Sequence, residues 1–414
     1  MLSATDGICC DGNEYEKVNN NMISEHHLKR KLSLKERVTR YKVNRKPLKG
    51  SVCLLGIIAL LVVLSGISFM RLQRVGADFT GLQAQRLNVD GTVFTAAFVG
   101  DVMLGRSMES AARFYGYDEY FKYTKGFFEG FDITFCNFEH PLIDENETYA
   151  PLKKELLLSA TKQCLPALKA AGFNLIGLAN NHIVDYGPQA VAYTTQALDE
   201  ADLSYIGVGL KEKERVTYGI HEYNGLKIAT VAVTTVLNGR VTFSDDQEDI
   251  LAKYRNAHYY IEAVSEAREK ADIVIVFAHW GDEFTTIITE KQHEMARDLI
   301  DAGADVIIGS HPHTVQPVEI YNGKIIFYSL GNFISDQGLN RTKDSIILRM
   351  YLDASGGCLF EAIPLRISNA SPVETGNPVF VRRIFHALTE HIDAAHYKVD
   401  GNRLYFSLPG FFTY

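Results

Sequence analysis

Acidic, amide and imidazole side chains occur in short clusters along the middle of this sequence. The candidates are Asp101, Glu139, Asn181, His279, His311 and His313. A set that mixes carboxylate oxygens with imidazole nitrogens can hold two divalent ions about 3.5–4 Å apart, which activate a water and bind a phosphoryl group. Each residue alone has a simpler explanation, because a single Asp after a strand is usually a helix cap and a single His is usually a surface residue. The combination of residues therefore carries the prediction of a metal site.

The clusters share one position in the predicted secondary structure, because each directly follows a short apolar strand. The predicted strands are Thr92–Gly100, Ile133–Phe138, Phe173–Ala179, Ile273–Ala278 and Val306–Gly309. Helical segments separate the strands, hairpin signals follow from Pro317 onward, and one more helix is predicted near Phe385–His396. This order indicates an α/β fold in which helices cover the sheets. Ligands of layered α/β folds bind at the carboxyl ends of strands, so we expect the five clusters to converge on one crevice.

Residues 51–70 form a stretch of twenty residues without a charge. A helix rises about 1.5 Å per residue, so this length spans the roughly 30 Å hydrocarbon core of a bilayer. A buried globular helix would usually show a polar stripe, and the apolar part of a cleavable signal peptide is shorter, about 7–15 residues. The stretch is therefore predicted to be a single-pass anchor in contact with membrane lipid.

Charge is distributed unevenly on the two sides of this stretch. Residues 1–49 carry 11 Lys/Arg and 6 Asp/Glu, net +5, so with a total of −8 the remaining residues carry net −13. The basic flank of a membrane helix stays in the cytoplasm, which predicts a cytoplasmic N-terminus and an extracellular main domain at the cell membrane. An acidic outer part also argues against nucleic acid as a partner, because binding phosphates needs a basic surface.

Six motifs follow one another between about Thr92 and Gln337. They are Gly100–Gly105 (GDVMLG), Asn137–Glu139 (NFE), Ala179–Gly187 (ANNHIVDYG), His279–Glu283 (HWGDE), Gly309–Glu319 (GSHPHTVQPVE) and Tyr328–Gln337 (YSLGNFISDQ). On these motifs the sequence resembles the CapA family of capsule-synthesis or poly-γ-glutamate biosynthesis proteins, a family that is similar to the calcineurin-like metallophosphatases. The resemblance implies a four-layer α/β/β/α sandwich with a metal crevice along one edge of the sheets.

The resemblance also implies roles for the candidate ligands. By analogy, Asp101 binds the first of two divalent ions, Glu139 bridges both, and Asn181 binds the second. The ligand shells are completed by His279, His311 and His313. The ions implied are manganese, zinc or iron.

Two further residues have implied catalytic roles. In the phosphatase pattern, the residue corresponding to His182 protonates the leaving oxygen, and Glu283 is expected to orient His279 or to act as a base on water. Two positions differ from that pattern: Met103 stands where the phosphatases have a histidine ligand, and Glu139 replaces their bridging aspartate. The sequence therefore leaves open whether the protein is an enzyme.

The predicted organisation has five parts. They are a basic cytoplasmic tail (1–49), a transmembrane anchor (50–70), a stalk (71–91), a CapA-like metallophosphatase-type domain (92–371) and a C-terminal extension packing on that domain (372–414).

Three functions are compatible with this organisation. The first is a membrane-anchored protein that makes or exports an anionic capsule polymer such as poly-γ-glutamate, together with membrane-bound synthase subunits. The second is a metal-dependent hydrolase of a phosphoester or of an amide in a surface polymer. The third is a non-enzymatic binding module that recruits a polymer synthase.

Overall fold

The computed structural model describes residues 91–208, 218–236 and 257–412. The predicted tail and anchor, and the stalk up to residue 90, lie outside the described residues. Among the helices of the three described ranges, none is both long enough and apolar enough to cross a membrane. The described residues form mixed α/β structure with two sheets.

The first sheet has ten strands in the described part of the chain. Strands β1, β2, β3 and β4 run parallel, with β4 at the edge, and antiparallel strands extend the sheet on the other side of β1 in the order β12, β13, β16, β15. Two short strands pair outside this path, β11 with β1 and β14 with β13. The strands are β1 Thr92–Val102, β2 Ile133–Phe138, β3 Leu175–Gly177, β4 Ser204–Ile206, β11 Asn332–Ile334, β12 Asp344–Asp353, β13 Cys358–Ser368, β14 Ser371–Glu374, β15 Tyr397–Asp400 and β16 Arg403–Leu408.

The second sheet has six strands in the order β5-β6-β7-β8-β10-β9. Strands β6, β7, β8 and β10 are parallel, and the two edge strands pair antiparallel through hairpins. The strands are β5 Tyr218–Tyr223, β6 Leu226–Thr234, β7 Ile273–His279, β8 Val306–Ser310, β9 Val318–Tyr321 and β10 Lys324–Phe327.

Six α-helices of the described ranges connect and cover these strands. They are α1 Ser107–Tyr115, α2 Leu165–Ala170, α3 Gly187–Glu200, α4 Ala257–Lys270, α5 Glu290–Asp301 and α6 Pro378–Thr389. Helix α3 contacts β4, helix α4 contacts β5, β6 and β7, and helix α6 contacts β12 and β13.

The two sheets pack face to face. Strand β7 alternates between two hydrophobic clusters: Ile273, Ile275 and Phe277 lie in a cluster with residues of the first sheet, whereas Val274 and Val276 lie in a cluster with residues of α4 and α5. The Phe277 ring stacks on Phe135 of β2 at a centroid distance of 3.5 Å. Because side chains of a strand alternate between its faces, this pattern places one core between the sheets and another under the helices.

Several predicted boundaries shift in the structure. Strand β1 continues to Val102, and the strand predicted at Phe173–Ala179 is reduced to Leu175–Gly177. The helix predicted near Phe385–His396 was misplaced, because α6 begins at Pro378 and ends at Thr389. Asn377 accounts for this start, since its side chain caps the helix by accepting from the Val379 N–H at 3.0 Å.

The C-terminal segment is built into the first sheet. The boundary predicted between 371 and 372 falls inside β14, and strand β16 pairs with β13. Lys324 of the second sheet also donates to the carbonyl of Phe411 at 3.0 Å.

Candidate metal centre

The carboxyl ends of the parallel strands carry the candidate ligands. In the first sheet, Asp101 is the second-to-last residue of β1, Glu139 follows β2, and Asn181 lies in the loop after β3. In the second sheet, His279 ends β7, and His311 and His313 follow β8. All six are at most 6% exposed. The structure therefore brings these predicted residues into one buried place between the two sheets.

Two groups of side chains have the spacing of a metal site. Glu139, His279 and His311 form one group, and Asp101, Glu139 and His313 form the other, with ligand atoms within 4.8 Å of one another in each group. Glu139 belongs to both groups: its Oε1 lies 3.7 Å from His279 Nε2 and 3.8 Å from His313 Nε2. A carboxylate shared in this way is suited to bridging two ions.

Unsatisfied buried atoms support a metal at this place. Glu139 Oε1 and His311 Nδ1 are buried and have no hydrogen-bond partner among the described residues. Buried polar atoms without a partner are rare and costly, and a cation would satisfy both. Asn181 Oδ1 lies 2.8 Å from His279 Nε2, so these two potential metal-ligand atoms face the same space. The donor set fits divalent ions that accept both oxygen and imidazole ligands.

Burial and neighbouring charges control the protonation of the histidines. Burial lowers the pKa of His279 well below its usual value, and the neighbouring His311 and His313 lower it further. Burial likewise lowers the pKa of His311 to about 3, with His313 adding to the effect. Both imidazoles are therefore neutral at neutral pH, as metal coordination requires.

His313 and Glu139 shift the pKa of each other. Burial alone would lower the pKa of His313, but the carboxylates of Glu139 and Asp101 outweigh it and raise the pKa to about 10. Burial raises the pKa of Glu139 well above its usual value, with His313 opposing and Asp101 adding to the rise. Without a cation between them, His313 thus takes up a proton that balances the carboxylates.

Neighbouring polar groups orient the candidate ligands. Asn137 Nδ2 donates to Asp101 Oδ1 at 2.7 Å, Ser310 Oγ lies 3.1 Å from His279 Nδ1, and Asn332 Oδ1 lies 2.9 Å from His313 Nδ1. With an ion bound, Nδ1 of His279 and of His313 can donate to its oxygen neighbour, which leaves the Nε2 lone pair for the ion. The roles of Asn137, Ser310 and Asn332 were not predicted, although each lies inside one of the motifs.

Backbone strain occurs at two of the histidines. His311 has φ 95° and His313 has φ 57°, a region that favours glycine. Such positions cost on the order of 1–3 kcal/mol each and persist only where the surroundings enforce them. The strained segment brings two imidazoles that are separated only by Pro312 into one site.

His182 lies beside this centre in a buried polar group. Its Nδ1 lies 2.8 Å from Asp185 Oδ2, and Asp185 forms an ion pair with Lys154. Burial lowers the pKa of His182, although Asp185 opposes the shift, so the imidazole is neutral at neutral pH. Lys154 was not predicted from the sequence, because its loop carries no motif.

Glu283 and Met103 lie outside the two ligand groups. Glu283 is exposed in the loop after β7, and in the described part of the chain it makes no hydrogen bond to His279, whose Nδ1 faces Ser310 and Asn137 instead. The charge of Glu283 nevertheless raises the pKa of Glu139. Met103 is 5% exposed and packs in the hydrophobic core.

Comparisons with known proteins agree with the motifs. A sequence model of the family described as "Bacterial capsule synthesis protein PGA_cap" matches residues 95–337. The chain is 35% identical over 301 residues to the capsule biosynthesis protein CapA of Bacillus anthracis, which covers 72% of this chain and 73% of that protein. It is also 35% identical over 320 residues to the PGA biosynthesis protein CapA of Bacillus subtilis (strain 168), covering 76% and 83%. A protein of Mycobacterium tuberculosis named "Probable polyglutamine synthesis accessory protein" is 30% identical over 222 residues, covering 49% and 58%.

Proposed function

The chain belongs to the family of bacterial capsule synthesis proteins, and on this basis we propose that it takes part in making or exporting an anionic capsule polymer such as poly-γ-glutamate. In this proposal, residues 51–70 anchor it in the cell membrane, the N-terminus is cytoplasmic and the main domain is extracellular. Membrane-bound synthase subunits are its proposed partners, because relatives are named as synthesis or accessory proteins.

The observation that carries the proposal is the shared position of Glu139 between two buried ligand groups. We infer that the site holds two divalent ions, of manganese, zinc or iron, in a four-layer sandwich of the metallophosphatase type. Glu139 would bridge them, Asp101 and His313 would bind on one side, and His279 and His311 on the other. Bound ions would supply Lewis acidity toward an anionic group of the polymer or its precursor.

The chain's own residues have roles that do not depend on the identity of the ions. Asn181 completes one side of the site, and Asn332 and Ser310 hold two imidazoles by their Nδ1 atoms. The His182–Asp185 pair places a neutral imidazole at the edge of the site, where it can accept a proton and, once protonated, return it.

Deletion and complementation test this function. A strain without the protein should lose surface polymer, and the wild-type chain should restore it. A Glu139→Gln chain should fail to restore it and should contain less manganese, zinc and iron after gentle purification. Glu147→Gln is the matched control, because Glu147 is exposed and outside the site. Unchanged amount and length of surface polymer in the deletion strain would contradict the proposal.

A metal-dependent hydrolase is the second candidate, favoured by the His182–Asp185 pair beside the ligands. The purified full chain, supplied with manganese or zinc, should then cleave a phosphodiester or a glutamyl polymer, and His311→Ala should abolish that turnover. If the wild-type chain cleaves none of these compounds, the hydrolase candidate fails.

The third candidate, a binding module without bound metal, makes the opposite prediction. Alanine at Asp101 and at His313 would leave the surface polymer intact, and metal analysis would find no ion in the wild-type chain. Metal analysis therefore separates this candidate from the other two.

A further inference from the structure

A cavity lies outside the candidate metal centre. It has a volume of about 660 Å³, within the usual range of about 300–1,000 Å³ for small-molecule sites. One wall is the segment from α1 to residue 123, and the other is the β13–β14 hairpin with the start of α6. Ser371 joins the two walls, because its hydroxyl donates to the carbonyl of Glu119 at 3.4 Å.

Exposed apolar side chains concentrate around this cavity. Tyr115 and Tyr123 line it and are 76% and 50% exposed. Their chain neighbours include Phe114, which is 85% exposed, and Val379 beside the lining residue Phe380 is 67% exposed. In the described part of the chain, these four are among ten exposed large hydrophobic side chains. A concentration of this kind marks a binding surface more often than isolated exposed residues do.

The charged residues of the cavity balance one another. Glu119 pairs with Lys122, Arg366 pairs with Asp344 at 2.6 Å, and Glu374 pairs with Arg403 at 2.6 Å. The Arg366 guanidinium also lies 4.3 Å from the centre of the Phe380 ring. Because every charged lining residue already has an opposite partner, the cavity does not favour an anionic or a cationic ligand.

Polar groups at the cavity remain available for a ligand. Within the described residues, the Tyr115 hydroxyl, the Ser368 hydroxyl and the Asn369 side-chain amide make no hydrogen bond to protein, and all three residues line the cavity. Asn369 offers both donors and an acceptor, and the hydroxyls can act as either. The cavity thus combines exposed aromatic faces with uncharged hydrogen-bonding groups.

We propose that this cavity binds a neutral carbohydrate chain. A pyranose ring has a face of C–H groups, a rim of hydroxyls and no charge. Its face can pack flat on Tyr115 or Tyr123, and its hydroxyls can pair with Ser368 and Asn369. An anionic lipid surface or an anionic polymer would need unpaired cations, which the lining residues lack. The proposed carbohydrate site contains none of the candidate metal ligands, and the proposal does not depend on which polymer the metal centre acts on.

Binding of neutral oligosaccharides to the full chain in detergent tests the proposal. Chitohexaose and cellohexaose are the probes, followed by saturation-transfer NMR and calorimetry. At least one should bind, and Tyr115→Ala or Tyr123→Ala should weaken its affinity about tenfold, the loss expected for one aromatic contact. Tyr115→Phe should weaken it less, because the ring face remains. Ile220→Ala, an exposed apolar residue of β5, should leave the affinity unchanged.

Three results would overturn the proposal. The first is that a folded wild-type chain binds neither probe at millimolar concentration and that neither probe changes its melting temperature. The second is binding that both tyrosine substitutions leave unaltered. The third is binding to phosphatidylglycerol vesicles or to poly-γ-glutamate that Tyr115→Ala abolishes while neither oligosaccharide binds, which would assign the surface to an anionic partner.

Discussion

Lys154 connects a loop to the polar group beside the metal centre. Its ammonium forms the ion pair with Asp185, lies 3.3 Å from the Asn181 carbonyl and is part of a side chain only 7% exposed. Asp185 also accepts from the Leu158 N–H at 2.7 Å. Asp185 therefore contacts both His182 and the loop that contains Lys154 and Leu158.

Replacing Lys154 should destabilise the fold. In Lys154→Met the Asp185 carboxylate remains buried without its cation, and removing one partner of a buried pair costs about 3–5 kcal/mol. Thermal or urea unfolding of the variant measures this loss. Lys153→Met is the matched control, since Lys153 is exposed and should change stability by less than about 0.5 kcal/mol.

A second variant makes this test specific. Adding Asp185→Asn to Lys154→Met removes the unpaired charge and should recover part of the lost stability. If Lys154→Met unfolds at the same denaturant concentration as the wild type, the ion pair contributes nothing and the interpretation fails.

Tyr328 and Glu319 predict a pH-dependent contribution to stability. Burial would raise the pKa of Glu319, but the Tyr328 hydroxyl and Arg297 outweigh it and hold the pKa below its usual value of 4.5. A carboxyl whose pKa is lower in the folded state stabilises the protein above about pH 4.5, and this stability is lost as the pH falls through the folded pKa.

The variant Tyr328→Phe tests this contribution. The Tyr328 hydroxyl donates to Glu319 Oε2 at 2.7 Å. Its loss should cost about 1–3 kcal/mol at pH 7, as for a hydrogen bond to a charged group, and less as the pH falls below about 4.5. Tyr115→Phe is the control, because Tyr115 is 76% exposed and its hydroxyl makes no hydrogen bond among the described residues. A cost that stays constant between pH 7 and pH 3 in urea unfolding would contradict the assignment.

At the level of elements, the sequence predicts that the clusters at the strand ends meet, but it does not predict how the strands are divided between the two sheets. The clusters after β1, β2, β3, β7 and β8 were expected to meet, because parallel strands end at a common edge, and the structure places them together. The division of strands between two sheets could not be predicted. Strand β7 and most of β1 are buried on both faces, so their side chains do not indicate which sheet they join.

Long-range contacts explain the residues that were missed. Lys154 reaches Asp185 from a loop without periodic structure, so nothing in the local sequence marks it. Asn332 reaches His313 because β11 pairs with the end of β1, a register that depends on the complete sheet. Glu283 shows the converse, because its place in a motif suggested a contact with His279 that Ser310 and Asn137 make instead.

The close approach of β1 to the segment before β11 makes Gly100 essential. A Cβ at Gly100 would lie 1.7 Å from the Gly331 carbonyl oxygen, so the two backbones could not keep their positions. Gly100→Ala should therefore displace the neighbouring Asp101, lower the metal content and destabilise the fold by several kcal/mol.

The same substitution at an open position is the control for Gly100→Ala. A Cβ at Gly338 would meet no atom within 4 Å, and Gly338→Ala should leave metal content unchanged and stability within about 1 kcal/mol. Metal analysis and thermal unfolding of both variants provide the readout. Equal behaviour of the two would show that the close approach is not required.

At the scale of the whole molecule, the charge of the chain opposes its proposed polymer. The residues after 49 carry net −13, so a polyanion such as poly-γ-glutamate is repelled at long range. Screening acts over about 8 Å at physiological ionic strength. If the chain binds this polymer, the contact should therefore depend on divalent ions at the candidate metal centre and act only at short distances.

Salt should therefore speed the association with poly-γ-glutamate. We expect the association rate of the metal-loaded full chain to rise about two- to tenfold between 20 and 200 mM sodium chloride, because the repulsion is screened. Biosensor measurements with immobilised polymer provide the rates, and an uncharged polymer of equal length is the control. A rate that falls with salt would indicate that a basic surface, and not the metal centre, makes the first contact.

The two halves of the ligand set come from different sheets. Asp101 lies at the end of a strand of the first sheet, and Glu139 and Asn181 follow strands of that sheet. His279 ends a strand of the second sheet, and His311 and His313 follow one. An ion bound between them would link the two sheets. It would add about 2.7 kcal/mol to the free energy of unfolding when its free concentration is a hundred times Kd. The supply of trace metal in the surroundings would then set the protease resistance of the domain, and so how much of the protein persists.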